Sequence, residues 1–403
     1  MPEWKKLPLS LAELCIDTTL RCGQSFRWRR INDEWHCVLQ GRLISLKQDP
    51  THLHYKLSWP EKLRTQEHKP AEDDCVLSLL HRYFALSHSL SAMYQEWAAS
   101  DSNFARRATA FTGIRILNQD AWETLVSFIC SSNNNISRIS QMVQKLCLHY
   151  GPYVGKIEGE AFYDFPGPEA LAASGVEAHL RELGFGYRAK FIAETARIVS
   201  TERPSGWLRS LRNPECPSLD AADVKPKETP AKAYGKTPNY KAAHEALLEL
   251  PGVGPKVSDC VCLMGLGWWE SVPIDTHVWQ IAQRDYNFGK GAKTKTLNKV
   301  TYDAVGGHFR KIWGPQAGWA QSVLFTANLK SFAEQAAGKG KGLKEEVSAV
   351  KVEVEVEETS TTSVRTQKRK TATTEVAVIK EEEKSAETTT RRTRSGKRVK
   401  TSG

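Results

Sequence analysis

The spacing of apolar residues changes twice along this chain. Before about residue 60 they fall in short runs rich in aromatic and β-branched side chains: FRWRRI, EWHCVLQ, RLISLKQ and HLHYKLSW. The stretches INDE, QG and DPTH punctuate them. Evenly spaced short runs with such turns predict an antiparallel sheet. From Asp74 onward the period becomes that of a helix with one buried face. It predicts helices over 74–84, 89–98, 101–110, 120–130, 136–149, 167–173, 175–182, 187–201, 239–249, 255–265, 275–284, 295–308 and 315–330. Residues 213–238 interrupt this part with a polar, proline-rich run, which predicts an exposed insertion loop between two helices. After Phe332 the pattern stops: residues 333–403 contain no Phe, Trp, Tyr or Cys. A segment so poor in large apolar groups cannot offset its ordering entropy, so a disordered basic tail is expected. The expected class is α+β. An N-terminal domain with the antiparallel sheet and some helices spans 1–115, an all-helical core spans 116–332, and the tail spans 333–403.

Composition narrows the function classes. Of the 403 residues 40% are hydrophobic, enough for a sizeable core, yet no run of about 18 apolar residues occurs and no membrane span is expected. The N-terminus carries Glu3, Glu13 and Asp17 and lacks a long apolar stretch, which argues against a secretory signal and an acid-poor transit peptide. Nine cysteines at irregular spacing read as reduced thiols in an intracellular protein, and none of their spacings suits a metal. The net charge of +10 favours an anionic partner, nucleic acid before membrane. Within the tail, Lys368–Lys370 and Arg391–Lys400 suit a nuclear import signal, a non-specific DNA arm, or a merely solvated surface. The expected location is the nucleus, with the mitochondrion as a second compartment.

Candidate chemistry concentrates between residues 239 and 285. An amphipathic helix runs to Glu249, and Leu250-Pro251-Gly252-Val253-Gly254 then makes a tight corner before a second helix opens at Pro255. Proline at the first helical position and glycine in the turn suit such a corner. Gly252 and Gly254 let the backbone approach a partner closely, and the free amides of the second helix suit a phosphate oxygen. Lys256 falls in the first turn, where the helix dipole disfavours an ammonium and so favours an amine nucleophile. Alone, Lys256 would read as a solvated lysine. The segment VPIDTHVWQIAQRD changes that weighting. Asp275 stands at an N-cap position on a helix facing Lys256, where its carboxylate could hold a cationic intermediate or move a proton. His277 suits either a phosphate contact or a hydrogen-bonded place in the core.

LPGVGPK followed nineteen residues later by Asp275 resembles the helix-hairpin-helix DNA glycosylase superfamily with its Gly/Pro-rich loop and Asp. Three further motifs, GQSFRW at 23–28, FICSSNNNISRI at 128–139 and GWAQSVLF at 318–325, are similar to those of the 8-oxoguanine DNA glycosylase/AP lyase family. The resemblance covers about residues 5–332 apart from the insertion. It implies that the helical core is a helix-hairpin-helix glycosylase core, and that Lys256 attacks C1′ of the damaged nucleotide, expels the base and forms a Schiff base. Elimination of the 3′-phosphate then cleaves the strand. By the same resemblance Asp275 stabilises the cationic sugar. Cys260, one turn beyond Lys256, forms a dipole with it against one face of the base, and Phe325 stacks on the other. Gln321 bonds the Watson–Crick edge, and the Gly23 carbonyl accepts the N7 hydrogen that 8-oxoguanine has and guanine lacks. A mismatched hydrogen bond in a buried pocket costs about 1–3 kcal/mol, and the base must be flipped out to reach it. Asn133 fills the vacated place, Arg138 and Arg188 bracket the orphan cytosine, and Tyr187 wedges beside it. The expected partner is double-stranded DNA containing 8-oxoguanine opposite cytosine, bound by a monomer without cofactor or metal.

Asn328 departs from the family pattern, which has an acid there, expected near His277. Asn135 suits an N-cap. Two other readings compete. Another helix-hairpin-helix glycosylase, acting on alkylpurines or adenine, is disfavoured because Lys256 is present and no cysteine follows Cys262 to hold an iron–sulfur cluster. A non-catalytic DNA-binding module would need the hairpin backbone but neither Lys256 nor Asp275.

Overall fold

Residues 3–58, 70–219, 238–290 and 296–332 are described by the computed structural model of the chain. The first strands are β1 (Lys5–Pro8), β2 (Arg29–Ile31), β3 (Glu34–Leu39), β4 (Arg42–Gln48) and β5 (His52–Ser58), with a one-turn helix α1 (Ile16–Thr19) after β1. They form one antiparallel sheet in the order β1-β5-β4-β3-β2. The four strands anticipated from the apolar runs are all present. In β5 the alternation is clean: Leu53, Tyr55 and Leu57 are buried between half-exposed polar positions. In β3 and β4 both faces are covered, which is why their apolar runs are nearly continuous. On one face pack Leu79 and Leu80 of α2 (Pro70–Tyr83). On the other, Val38 and Leu43 meet Val154 and Phe162.

Val154 and Phe162 belong to a hairpin that the apolar spacing did not announce. The helices α3 (Leu90–Ser100), α4 (Ser102–Ala108), α5 (Ala121–Ile129) and α6 (Ile136–Tyr150) lead into strands β6 (Tyr153–Ile157) and β7 (Glu160–Tyr163). Then follow α7 (Pro168–Leu171), α8 (Val176–Glu182), α9 (Arg188–Arg197), a π-helical turn at Ile198–Glu202 and a further one-turn helix α10 (Trp207–Ser210). The last five helices are α11 (Tyr240–Leu248), α12 (Pro255–Met264), α13 (Thr276–Asp285), α14 (Lys299–Trp313) and α15 (Ala317–Ala327). Caps set many starts: Asp120, Asn135, Asn239, Asp275 and Asn298 each accept an amide of the following first turn.

One expectation is corrected. Residues 213–219, at the start of the expected exposed loop, are partly tied to the core, although Pro214, Glu215 and Pro217 are exposed. Cys216 and Leu219 are 3% and 5% exposed, and Asn213 binds the Leu266 and Gly267 carbonyls through its amide N–H and side chain. Residues 220–237 and the whole of 333–403 lie outside the described residues, so the rest of the loop and the tail do too. The helical core is one apolar cluster that includes α3 to α5, α9 and α11 to α15. Almost every side chain of α5, α12 and α15 is buried. Among the described residues no helix is long and apolar enough to cross a membrane.

Candidate active site

The corner between α11 and α12 is fixed by close packing. Gly252 has φ +77°, and a Cβ there would lie 2.8 Å from Cβ of Phe191, so a side chain is excluded twice over. Leu250 and Val253 are buried, and Thr195 Oγ1 donates to Pro251 O at 3.0 Å. Gly254 is the N-cap of α12, has no side-chain capping bond, and has open space around it. The first-turn amides of α12 therefore face outward without a side-chain acceptor, as an anion site requires.

One residue into α12, Lys256 points away from that corner. Its Nζ donates to Ser131 Oγ at 3.1 Å and lies 4.7 Å from the centre of the Phe128 ring. Ser131 spends its own hydroxyl proton on Phe128 O at 2.7 Å, so toward the amine it acts as an acceptor. Cys260 is 3% exposed. Burial pushes its thiol up to about 12 against the opposing pull of Lys256, so at neutral pH the thiol beside Lys256 keeps its proton. Behind them the carboxylate of Asp259 accepts from Tyr240 of α11, Tyr302 of α14 and Ser271. Burial raises its pKa, opposed by His244 and these hydroxyls. This network ties α12 to both neighbouring helices and to the approach to Asp275.

Asp275 uses Oδ1 to accept Val278 N–H at 2.9 Å, so its carboxylate is held by the helix it caps. His277 stands edge-on to Phe325, ring centres 5.8 Å apart at 89°. Asn328 accepts from Arg284 Nη1 at 3.0 Å through Oδ1, which turns Nδ2 toward His277 Nδ1 at 3.5 Å. An amide N–H aimed at Nδ1 assigns the hydrogen of a neutral ring to Nε2.

Six of the residues singled out by sequence line one cavity: Gly23, Lys256, Cys260, Asp275, Gln321 and Phe325. Gly23 has φ +85°, and a Cβ there would lie 2.9 Å from Ile136 Cδ1 and 3.9 Å from Phe325 Cε1. The positive φ favours glycine here, and an added Cβ would crowd Ile136 rather than the Phe325 ring. Gln321 is 6% exposed on α15, one turn before Phe325.

The remaining residues gather elsewhere. Asn133, with φ +48°, is exposed in the loop between α5 and α6, and Arg138 is exposed in the first turn of α6. Tyr187 OH donates to Ser132 O at 3.0 Å. Arg188 is 4% exposed and points inward. It donates to Ser132 O through Nε at 3.1 Å and through Nη2, and to Asn133 O at 3.0 Å. Its guanidinium is therefore spent on the loop that carries Asn133. The sequence reading missed Ser131, although it lies inside FICSSNNNISRI, because a serine between Cys130 and Ser132 gives no sign of the lysine it meets. Among the described residues no group of three or more His, Cys, Asp or Glu could hold a metal ion.

Two family descriptions match consecutive parts of the chain. Residues 6–125 match the N-terminal domain of 8-oxoguanine DNA glycosylase, and residues 126–302 match the HhH-GPD superfamily of base excision DNA repair proteins. The N-glycosylase/DNA lyase of Saccharomyces cerevisiae is 37% identical over 351 residues, 80% of this chain and 86% of the yeast protein. The N-glycosylase/DNA lyase OGG1 of Arabidopsis thaliana is 34% identical over 331 residues, 81% of each. The 8-oxoguanine glycosylase/lyase of Clostridium acetobutylicum, solved with double-stranded DNA containing cytosine opposite 8-oxoG, shares the fold. Its TM-score is 0.61 at 22% identity, covering 83% of this chain and 98% of that one.

Proposed function

We propose a mechanism for a chain that belongs to the 8-oxoguanine DNA glycosylase family of helix-hairpin-helix base excision repair proteins, and that is a DNA N-glycosylase and AP lyase. Lys256 is the nucleophile. Its neutral amine attacks C1′ of a flipped-out 8-oxoguanosine, the glycosidic bond breaks, and the base leaves with the bonding electron pair. The sugar ring opens to a Schiff base on Nζ, loss of a C2′ proton follows, and the 3′-phosphate leaves by β-elimination. Asp275 sets its carboxylate against the cationic sugar, where a fixed negative charge in a water-poor site has its largest effect. Phe325 and the Lys256–Cys260 pair hold the two faces of the base, Gln321 its edge, and Gly23 O the hydrogen on N7. The outward amides of α12 around Gly254, with Gly252 and His277 Nε2–H, hold backbone phosphates. Asn133 enters the vacated stack, and Arg138, Tyr187 and Arg188 address the cytosine opposite. All of these residues come from one chain, so a monomer suffices.

The observation that carries this reading is the convergence of Lys256 and Asp275 on one largely apolar cavity that also holds Cys260, Gln321 and Phe325. Lys256→Gln tests it. Excision from an 8-oxoguanine–cytosine duplex and borohydride trapping should both vanish, while the lesion duplex is still bound because the stack, the edge contact and the hairpin amides remain. A trapped adduct in this variant would place the nucleophile elsewhere.

A further inference from the structure

The part of the cavity wall formed by Gly23 and Gln24 is held by two glutamines, Gln24 itself and Gln119, that take no part in the mechanism above. Gln24 is 6% exposed. Its side-chain amide pairs with the extended stretch before α5 much as a neighbouring strand would: Nε2 donates to Arg115 O at 2.8 Å, and Oε1 accepts from Leu117 N at 2.9 Å. The backbone carbonyl of Gln24 accepts from Gln119 Nε2 at 2.9 Å. Gln119, 4% exposed, in turn donates its own amide to Met264 O at 2.7 Å, the last residue of the helix that carries Lys256. A chain of buried hydrogen bonds thus runs from the end of α12 through Gln119 to Gln24, and from Gln24 to residues 115–117.

None of these bonds is made by the peptide that joins Gly23 to Gln24; they hold Gln24 at its side chain and its carbonyl, and so fix the residue on which that peptide hinges. Glycine tolerates rotation on its own side of that peptide, so what resists a flip is Gln24, whose φ the rotation would carry to a positive value. Rotation by half a turn would exchange the Gly23 carbonyl for the Gln24 N–H on the pocket side. A carbonyl there favours a purine bearing hydrogen on N7. An N–H favours ordinary guanine, whose N7 is an acceptor. The orientation of one peptide therefore decides which base the cavity prefers. We propose that Gln24 and Gln119 are positioning residues for lesion specificity, holding Gln24 and through it the place of the Gly23 carbonyl before DNA arrives. The proposal rests on the reading that Gly23 O meets N7, and it assigns the selectivity of that contact to the two buried side chains.

The test separates recognition from chemistry. Gln24→Met keeps the length of the side chain and removes both of its hydrogen bonds. Binding is measured in a Lys256→Gln background, on duplexes with 8-oxoguanine or guanine opposite cytosine. The preference for the lesion should fall about tenfold, the weight of one mispaired buried hydrogen bond, chiefly through tighter guanine binding. Cleavage at a preformed abasic site, measured with Lys256 intact, needs no base and should change by less than about threefold. An unchanged preference overturns the proposal. So does a loss of abasic-site cleavage as large as the loss of preference, which would mark Gln24 as general support for the fold. Gly23→Ala, run beside it, separates the two layers: if that change leaves the preference intact, the reading of Gly23 itself fails. Should Gln24→Met melt below the assay temperature, Gln119→Met carries the test, because it removes only the bond to Gln24 O from this wall.

Discussion

Around the lesion cavity the side chains are buried and already paired, whereas around Asn133 the chain is exposed and its one buried arginine faces inward. Lys256 rests on Ser131, Asp275 on the amide of Val278, and Gly23 beside a clamped Gln24. Nothing there has to be assembled when DNA binds. In the loop that continues from Ser131, Ser132 O and Asn133 O hold the guanidinium of Arg188, and Asn133 sits at positive φ in an exposed turn. For Arg188 to bracket a base it must first release those carbonyls. Under the proposed function the chemistry would thus be preorganised, while recognition of the opposite base would wait on a local rearrangement. The physical reason is that an electrostatic contribution to a transition state is largest when no group has to move, but a wedge must enter a stack that exists only in the complex.

Asp275→Asn strikes the preorganised side hardest after Lys256 itself. Asparagine caps a helix about as well as aspartate, so the melting temperature should stay within about 2 °C, while single-turnover excision falls about a hundredfold from loss of the fixed charge. A matching drop in stability would show that the carboxylate acts only as a cap. Ser131→Ala comes next. It removes the acceptor that aims the amine, and the rate of borohydride trapping should fall about tenfold, the weight of one hydrogen bond. Ser131→Thr should restore it. An unaltered trapping rate would mean that the Phe128 ring and Cys260 suffice to place Nζ.

Arg188→Met probes the gated side. Two loop carbonyls lose their donor, so the loop should loosen and the preference for cytosine over adenine opposite the lesion should fall about fivefold, with abasic-site cleavage nearly unchanged. Equal excision opposite both bases in the unaltered protein would remove the assignment of Asn133, Arg138 and Arg188 altogether.

The same contrast explains what could be read from the residues alone. Helices such as α6 and α13 bury one apolar face, so their period is legible, and the glycines and proline of LPGVGP mark the corner before α12 without ambiguity. The hairpin β6–β7 was not legible. It buries essentially Val154 and Phe162, and a strand that contributes one buried residue has no alternation to see. β1, with the sequence KKLP, is equally mute. In the site, residue types indicated the chemistry of Lys256 and Asp275. Burial direction was hidden: an arginine in a polar motif gives no sign that it will turn inward, as Arg188 does. Nor does Cys216, in a proline-rich run, show that Gly267 leaves it room; a Cβ at Gly267 would lie 2.4 Å from Cys216 Cβ.

Cys260 offers the finest division between the two regions, because a preorganised pocket can use the thiol without ionising it. Burial pushes that thiol from an ordinary 9.0 up to about 12, with Lys256 opposing. Excision should therefore show no inflection from Cys260 between pH 6 and 9, and Cys260→Ser, a neutral dipole of similar size, should change the rate only about twofold. The sign for stability follows from linkage. A thiol whose folded pKa is raised contributes its full stabilisation below the unfolded value near 9 and loses it as pH rises toward 12, because the unfolded chain releases a proton that the folded chain keeps. Each such group costs about 1.4 kcal/mol per pH unit through that window. Cys130 and Cys147, also pushed up to about 12, act in the same direction. Guanidinium midpoints measured between pH 8 and 10 should fall with pH, and less steeply in Cys260→Ser. Rapid alkylation of Cys260 by iodoacetamide at pH 8 in the folded protein, with an acidic limb in the excision profile that serine abolishes, would instead identify a thiolate and make the Lys256 contact an ion pair.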